Sequence, residues 1–163
     1  MRFTDSVEIG LQREEVIRLL SDPAHLPMWL RGLVRHEPVS GTHGEVGSVS
    51  KIVQRNGAEE MEGTETITEK EPSDLAGISG ETDVIFLREL VADGMRCITR
   101  DRLIELNPRR TRWESESEYR FDSMKMRLLT PLMRSAFQQR SRKRMKDFKA
   151  FVELGIDVRS TDS

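Results

Sequence analysis

The sequence has little of what identifies a secreted, disulfide-bonded or membrane-spanning protein. It contains a single cysteine, Cys97, so no disulfide can form within the chain. Its longest uninterrupted apolar run, Val84–Leu87, is far shorter than the ~20 residues that span a bilayer. The first residues, MRFTDSVEIG, contain no apolar segment typical of a signal peptide. We therefore expect a cytoplasmic protein without a transmembrane segment.

Motifs that carry known chemistry are also missing. The sequence has no phosphate-binding glycine loop, no dinucleotide fingerprint and no serine in a nucleophile elbow. His25, His36 and His43 do not follow a metal-ligand spacing. We therefore expect neither a metal nor a cofactor.

Apolar residues are scarce for the length of the chain. They make up 36% of 163 residues, whereas charged residues make up 33%. The length suits one domain, and the low apolar share fits either a modest core or a partly hollow interior. We expect a single domain over residues 1–155, followed by a C-terminal tail, residues 156–163, that frays.

The two charge signs are unevenly distributed. Residues 1–120 hold 16 Lys and Arg against 23 Asp and Glu, whereas residues 121–163 hold 10 against 5. A solvated helix surface explains the basic segment, and contact with a membrane or an acidic partner is the alternative. Nucleic-acid binding is not expected, and the oligomeric state is left open.

Alternating and helical patterns predict the order of the elements. A strand over residues 2–9 is followed by a helix over residues 12–21 and a second short helix from Asp22-Pro23. Residues 83–93 either continue the strand before them or, as the pattern slightly favours, form a short inserted helix or a lid-like loop. Further strands are predicted at 33–40, 47–55, 59–71, 75–82, 95–106 and 112–121.

The last element is a long helix. Apolar residues recur at intervals of three and four from Leu129 to Val152. Thr130-Pro131 predicts a kink or a new start of the helix, with a short turn at 124–129 and the main helix over 131–154, and Gly155 predicts its end. The apolar stripe of this helix predicts that its buried side chains include Leu132, Phe137, Phe148 and Phe151.

Several segments resemble the START-like, helix-grip (SRPBCC) superfamily, which includes polyketide cyclase/dehydrase-like and lipid-transport proteins. The matching segments are Asp22-Pro23 with Trp29, GEVG at 44–47, GTETITE at 63–69, RTRW at 110–113, EYRF at 118–121 and LTPLM at 129–133. The resemblance implies an α+β helix-grip fold. In it, a curved antiparallel sheet of about seven strands wraps around the long C-terminal helix, and two short helices follow the first strand. It also implies a cavity for apolar small molecules.

The last predicted strand has an unusual inward face. Trp113, Ser115, Ser117 and Tyr119 alternate with charged residues, so they point inward. The two buried hydroxyls either bond to neighbouring strands or line a partly polar cavity.

Two carboxylates are weak catalytic candidates, together with Tyr119. Asp101 shares a face with Thr99 and Leu103, and Glu65 shares one with Ile67. An inward carboxylate without a cationic partner would have a raised pKa and could act as an acid or a base. The alternative is that each forms a salt bridge.

Three functions are compatible with these features. The first is binding of an apolar small molecule, as a carrier or sensor of a lipid, polyketide or aromatic metabolite. The second is a cyclase or dehydratase acting in the same cavity, and the third is an interaction module that uses the basic helix. Whether the protein is an enzyme is left open. The predicted ligand-binding residues are Trp29, Met61, Thr99, Trp113, Ser115, Ser117, Tyr119, Met126, Met133 and Phe137.

Overall fold

The computed structural model describes residues 1–161, which form one antiparallel sheet with one long helix and several short ones. The strands are β1 (Arg2–Ile9), β2 (Leu33–Ser40), β3 (Val49–Asn56), β4 (Glu59–Glu71), β5 (Val84–Ala92), β6 (Met95–Asn107) and β7 (Arg110–Phe121). The helices are α1 (Arg13–Ser21), α2 (Leu26–Trp29), α3 (Met124–Leu154) and α4 (Val158–Thr161), with a 3-10 turn at Pro23–His25.

The sheet has the order β1-β7-β6-β5-β4-β3-β2. Strands β2 to β7 follow one another as hairpins, and β1 pairs with β7 at the far edge. The two-residue turn between β3 and β4 is Gly57-Ala58, and Gly57 has the positive φ of +65° that the first position of such a tight hairpin favours. The segment with α1 and α2 therefore carries the chain from one edge of the sheet to the other.

The ends of α3 follow from local capping. The Ser123 hydroxyl accepts a hydrogen bond from the Met126 amide at 3.3 Å, so Ser123 is the N-cap. At the other end, Gly155 has a φ of +67° and its amide donates to the Phe151 carbonyl at 2.9 Å. This bond spans four residues, as in an αL cap, and the helix ends at Leu154 as predicted.

The predicted new start of the helix at Thr130-Pro131 is wrong. One continuous helix begins at Met124, and Pro131 lies inside it. Pro131 has no N–H to donate to the Arg127 carbonyl, but it lies on an exposed part of the helix, where water can satisfy that carbonyl.

The hydrophobic core lies at one end of the sheet. Phe148 of α3 is fully buried, and its ring makes edge-on contacts with Trp29 at 5.1 Å and Trp113 at 5.5 Å between centroids. The rest of this core comes from β1, α1, β5, β6 and α3: Ile9, Val16, Ile17, Val84, Leu103 and Met145. The buried residues of this core therefore pack against only the second half of α3.

The first half of α3 is poorly covered. Among its described residues, α3 buries only Ser141, Met145 and Phe148. Phe137 and Phe151 are half-buried, but Leu132 is 79% exposed, so the prediction that Leu132 is buried is wrong. The apolar residues of 124–137 occupy more than one face of the helix, and only one face can meet the sheet.

Two other predicted segments are also wrong. Residues 83–93 are not an inserted helix or lid, because β5 fills the position between β4 and β6. Leu75–Thr82 is not a strand but a series of turns leading into β5. Within the tail that we expected to fray, α4 forms one helical turn with Val158 buried, and residues 162–163 lie outside the described part. The predicted α+β helix-grip architecture itself is confirmed.

Candidate functional site

The inner face of β6 and β7 is polar along its middle. The register pairs Asp101 with Ser115 and Thr99 with Ser117, which places all four side chains on the face that also holds Leu103 and Trp113. These four side chains are buried. The predicted inward orientation of Asp101 and Thr99 is therefore confirmed.

Asp101 belongs to a buried ion-pair cluster. Arg88 of β5 donates to its Oδ2 from Nη2 at 2.6 Å and from Nε at 3.1 Å, and Trp113 Nε1 donates to Oδ1 at 2.9 Å. Burial alone would raise the pKa of Asp101, but the charges of Arg88 and Arg144 and the bond from Trp113 outweigh it and lower that pKa. Asp101 is therefore an ionised, paired carboxylate at neutral pH.

Glu65 is the second member of the cluster. Arg88 Nη1 donates to its Oε2 at 3.4 Å, so one guanidinium serves both predicted carboxylates. Burial lowers the pKa of Arg88, but the charges of Asp101 and Glu65 raise it further than burial lowers it. The salt-bridge alternative for Asp101 and Glu65 is the one that the structure contains.

A second arginine reaches the inner face from α3. Arg144 Nη2 lies 3.4 Å from the Ser115 hydroxyl, and its guanidinium lies 5.9 Å from the centre of the Trp113 ring. Among the described residues, the buried Nε of Arg144 and the buried Oγ of Ser141 have no hydrogen-bond partner. These two groups lie one turn apart and leave hydrogen-bonding capacity inside the fold.

Aromatic side chains gather at the opposite end of β7 from Trp113. The Tyr119 ring lies 4.7 Å from Phe137 of α3, 6.0 Å from Phe3 and 6.5 Å from Phe121. Burial raises the pKa of the Tyr119 hydroxyl and also that of the neighbouring Cys97 thiol. Both groups are therefore protonated at neutral pH and can donate hydrogen bonds.

A cavity of about 430 Å³ opens beside this aromatic end. Its lining consists of Met1, of Tyr119, Arg120 and Phe121 from β7, and of Arg127 and Thr130 from α3, so two arginines accompany the two aromatic rings. A second hollow, about 340 Å³, lies between β1 and α3, and charged or polar side chains such as Asp5, Arg142 and Lys146 form much of its lining. The larger cavity is the one with aromatic walls, and its volume lies within the range of small-molecule sites.

The predicted site residues fall into two groups. Trp29 and Trp113 lie in the core, whereas Tyr119 lies six residues further along β7 and contacts Phe137. Thr99, Ser115 and Ser117 lie between these two ends of the inner face. The predicted methionines, Met61, Met126 and Met133, are half-buried.

Sequence reasoning missed three residues of the inner face: Arg88, Arg144 and His36. Arg88 was hidden by the misassignment of 83–93, and Arg144 looked like one of many solvated charges. The register through β2, β3 and β4 puts His36 on the inner face, where burial and then the charge of His43 lower its pKa. Its ring lies 5.4 Å from that of His43, but residues 1–161 contain no group of three or more side chains that could hold a metal.

Comparison with known proteins agrees with this architecture. The family described as polyketide cyclase / dehydrase and lipid transport matches residues 1–153. No curated protein has a matching sequence. Within the part of the chain that the structure describes, no helix is long and apolar enough to cross a membrane.

Several solved structures share the fold at low sequence identity. The Zhui aromatase/cyclase from Streptomyces sp. R1128 has a TM-score of 0.72 at 10% identity, covering 95% of this chain and 97% of that chain. A START superfamily protein from Mycobacterium smegmatis has a TM-score of 0.70 at 13% identity, covering 93% and 97%.

Norcoclaurine synthase from Thalictrum flavum, in complex with dopamine and hydroxybenzaldehyde, has a TM-score of 0.63 at 14% identity, covering 93% of this chain and 86% of that chain. The match over residues 1–153 and the helix-grip architecture agree with each other. The chain belongs to the polyketide cyclase / dehydrase and lipid transport family.

Proposed function

We propose that this protein binds an apolar small molecule, as a carrier or a sensor, between the first half of α3 and the Tyr119 end of β7. The observation that carries the proposal is the cavity of about 430 Å³ with Tyr119, Phe121 and Thr130 in its lining. Aromatic walls with a few polar groups are the usual composition of such sites. The family match supports a ligand from the lipid or polyketide class.

The ligand should combine an apolar body with a hydrogen-bond acceptor at one end. Phe137, against Tyr119, and Arg144, against Ser115, are seven residues apart on α3, which is about 10 Å along a helix. Between them lies Ser141, whose small side chain leaves its hydroxyl without a partner. A carbonyl, phenolate or carboxylate oxygen would satisfy Arg144 while the apolar body contacts the aromatic end.

A second function is catalysis, the cyclisation or dehydration of a polyketide-like or aromatic substrate in the same cavity. The paired states of Asp101 and Glu65 argue against either carboxylate as a general base. His36 of β2 is the remaining candidate base on the inner face, because its lowered pKa keeps the imidazole neutral and able to accept a proton at pH 7, but it does not line this cavity, so a substrate would have to extend across the sheet to reach it. Mass analysis of a bound poly-keto compound would detect loss of water in the wild type and not in His36→Gln.

Binding can be tested with a naphthalene sulfonate dye and a series of fatty acids that displace it. Thr130→Trp and Phe137→Trp should each weaken binding at least tenfold, because an indole at 130 fills the cavity and one at 137 displaces the Tyr119 ring in its wall. Phe151→Trp is the matched control, since Phe151 is also half-buried on α3 but contacts His25 instead. Melting temperatures show that each variant is folded.

Two results would contradict the proposal. Unchanged affinity in both Thr130→Trp and Phe137→Trp would place the ligand elsewhere. Failure of the wild type to bind any lipid or aromatic polyketide would remove the binding function altogether.

A further inference from the structure

The outward side of α3 carries an apolar stripe that the fold does not use. Met124, Leu128 and Leu132 are 69%, 75% and 79% exposed. They are four residues apart, so they lie on one side of the helix over a length of about 12 Å. No described element of the fold covers them, so their apolar surface faces solvent.

Basic residues accompany this stripe, and acidic ones are missing. Residues 124–146 contain no Asp or Glu, whereas the segment has eight basic residues: Lys125, Arg127, Arg134, Arg140, Arg142, Lys143, Arg144 and Lys146. Arg142 and Lys146 follow Met124 and Leu128 by eighteen residues, which is five helical turns. The outward side is therefore apolar at its beginning and cationic further along.

Few of these basic side chains form salt bridges within the fold. Arg142 binds Asp5 at 2.7 Å but is still 57% exposed, and Lys143 lies 3.8 Å from Asp147 and is 60% exposed. Three others turn towards the sheet: Arg127 donates to the Phe121 carbonyl at 2.7 Å, Arg134 to the Arg2 carbonyl at 3.4 Å, and Arg144 reaches Ser115. Within residues 1–161, no carboxylate forms a salt bridge with Lys125 or Lys146 on the outward side.

We infer that the outward side of α3, with its apolar stripe and the cations that follow it, docks on an anionic phospholipid bilayer. The argument for this occupant is charge complementarity combined with exposed apolar side chains. Met124, Leu128 and Leu132 would enter the boundary between headgroups and acyl chains, and the cations would meet lipid phosphates. A second copy that docked through the same face would bring two acid-free basic segments together, which like charges oppose.

Arg127 lines the proposed ligand cavity, but the outward stripe and the tested lysines do not, so either proposal can fail without the other. The half-buried side chains Met126, Leu129 and Met133 are on α3 but not in the exposed stripe. Only the outward stripe and the surface cations are changed in the experiment below.

The test is co-sedimentation with vesicles of phosphatidylcholine alone and of phosphatidylcholine with about 30 mol% phosphatidylglycerol. The wild type should bind the anionic vesicles and not the neutral ones, and raising the salt from about 0.05 M to about 0.5 M should weaken binding. Leu128→Glu and Leu132→Glu should each lower the partition coefficient at least tenfold. Lys125→Glu and Lys146→Glu should each lower it about fivefold or more.

Matched controls separate this surface from general effects. Leu106→Glu changes an exposed leucine on β6, and Lys51→Glu changes an exposed lysine on β3, so both should bind like the wild type. The changed α3 residues are exposed, so melting temperatures should stay close to that of the wild type.

Three outcomes would overturn the inference. One is equal binding to neutral and anionic vesicles, and another is wild-type binding by the two leucine variants. The third is an oligomer in light scattering that Leu128→Glu dissociates, with no vesicle binding, because the stripe would then be a protein interface.

Discussion

Replacing Asp101 by Asn tests the ion-pair cluster on the inner face. The carboxylate accepts three hydrogen bonds, two from Arg88 on Oδ2 and one from Trp113 on Oδ1. An Asn amide has one oxygen, so its NH₂ group must face either the guanidinium or the indole N–H, and one donor loses its acceptor. Arg88 also loses its nearer counter-charge, and only Glu65 at 3.4 Å is left to pair with it.

The cost follows from these losses. Breaking a buried pair by removing one partner costs about 3–5 kcal/mol, and a remaining carboxylate places this variant near the lower end of that range. We therefore expect Asp101→Asn to lower the free energy of unfolding at pH 7 by about 3 kcal/mol. Urea titrations followed by tryptophan fluorescence measure this, because Trp113 is in the cluster.

The same pair makes the loss depend on pH. The pKa of Asp101 is lower in the folded chain than its ordinary value, so its ionised form stabilises the fold above the unfolded pKa of about 3.9. This contribution disappears as the pH falls through the folded pKa. The difference between wild type and Asn variant should therefore be constant from pH 7 to about pH 5 and shrink below about pH 4.

Asp83→Asn is the matched control for this pair. Asp83 also binds an arginine, Arg102, but the arginine is 41% exposed, so its loss should cost less than about 1 kcal/mol. An Asp101→Asn variant as stable as the wild type at pH 7 would refute the reasoning, and so would a difference that grows as the pH falls.

Three further predictions concern the core, the end of α3 and the cysteine. Phe148→Ala should cost about 3–5 kcal/mol in denaturant titrations because it leaves a cavity between Trp29 and Trp113, whereas Leu132→Ala should change stability by no more than about 0.5 kcal/mol. Gly155→Ala should lower stability by about 1–2 kcal/mol through its φ of +67°, and a neutral result would contradict the capping argument. Cys97 should react with a thiol reagent only after denaturation, since it is buried with a raised pKa; rapid labelling of the folded protein would be inconsistent with this.

The elements that the sequence predicts best are those with one solvent-exposed face and one buried face. In β7, Glu114, Glu116 and Glu118 alternate with inward side chains, and this pattern gives both the strand and its orientation. The strand β5 lies inside the sheet, and Arg88 on its inner face interrupts the apolar pattern. Only the fold shows that Asp101 and Glu65 neutralise this charge, so β5 was mistaken for a helix or loop.

The candidate site was predictable in part for the same reason. Alternation placed Thr99, Asp101, Ser115 and Ser117 on the inner face, because period-two patterns determine which residues share a side. Strand geometry also gives the distance of about 20 Å between Trp113 and Tyr119. It does not tell that the core covers Trp113 whereas a cavity opens beside Tyr119. The inward orientation of Arg144 depends on the position of α3 over the sheet, which no local pattern encodes.

The two halves of α3 pack differently against the fold, and this difference has a consequence for amide hydrogen exchange. Its second half is fixed by Met145 and Phe148 in the core, whereas residues 124–140 have no buried side chain and include Pro131, which removes one helical hydrogen bond. Amides in the first half should therefore exchange through local openings that leave the sheet intact, and those near Phe148 only when the whole domain unfolds. Hydrogen exchange along this one helix then gives two free energies of opening, a small one for its first half and the global one for its second half. A molecule that binds under the first half slows exchange there only.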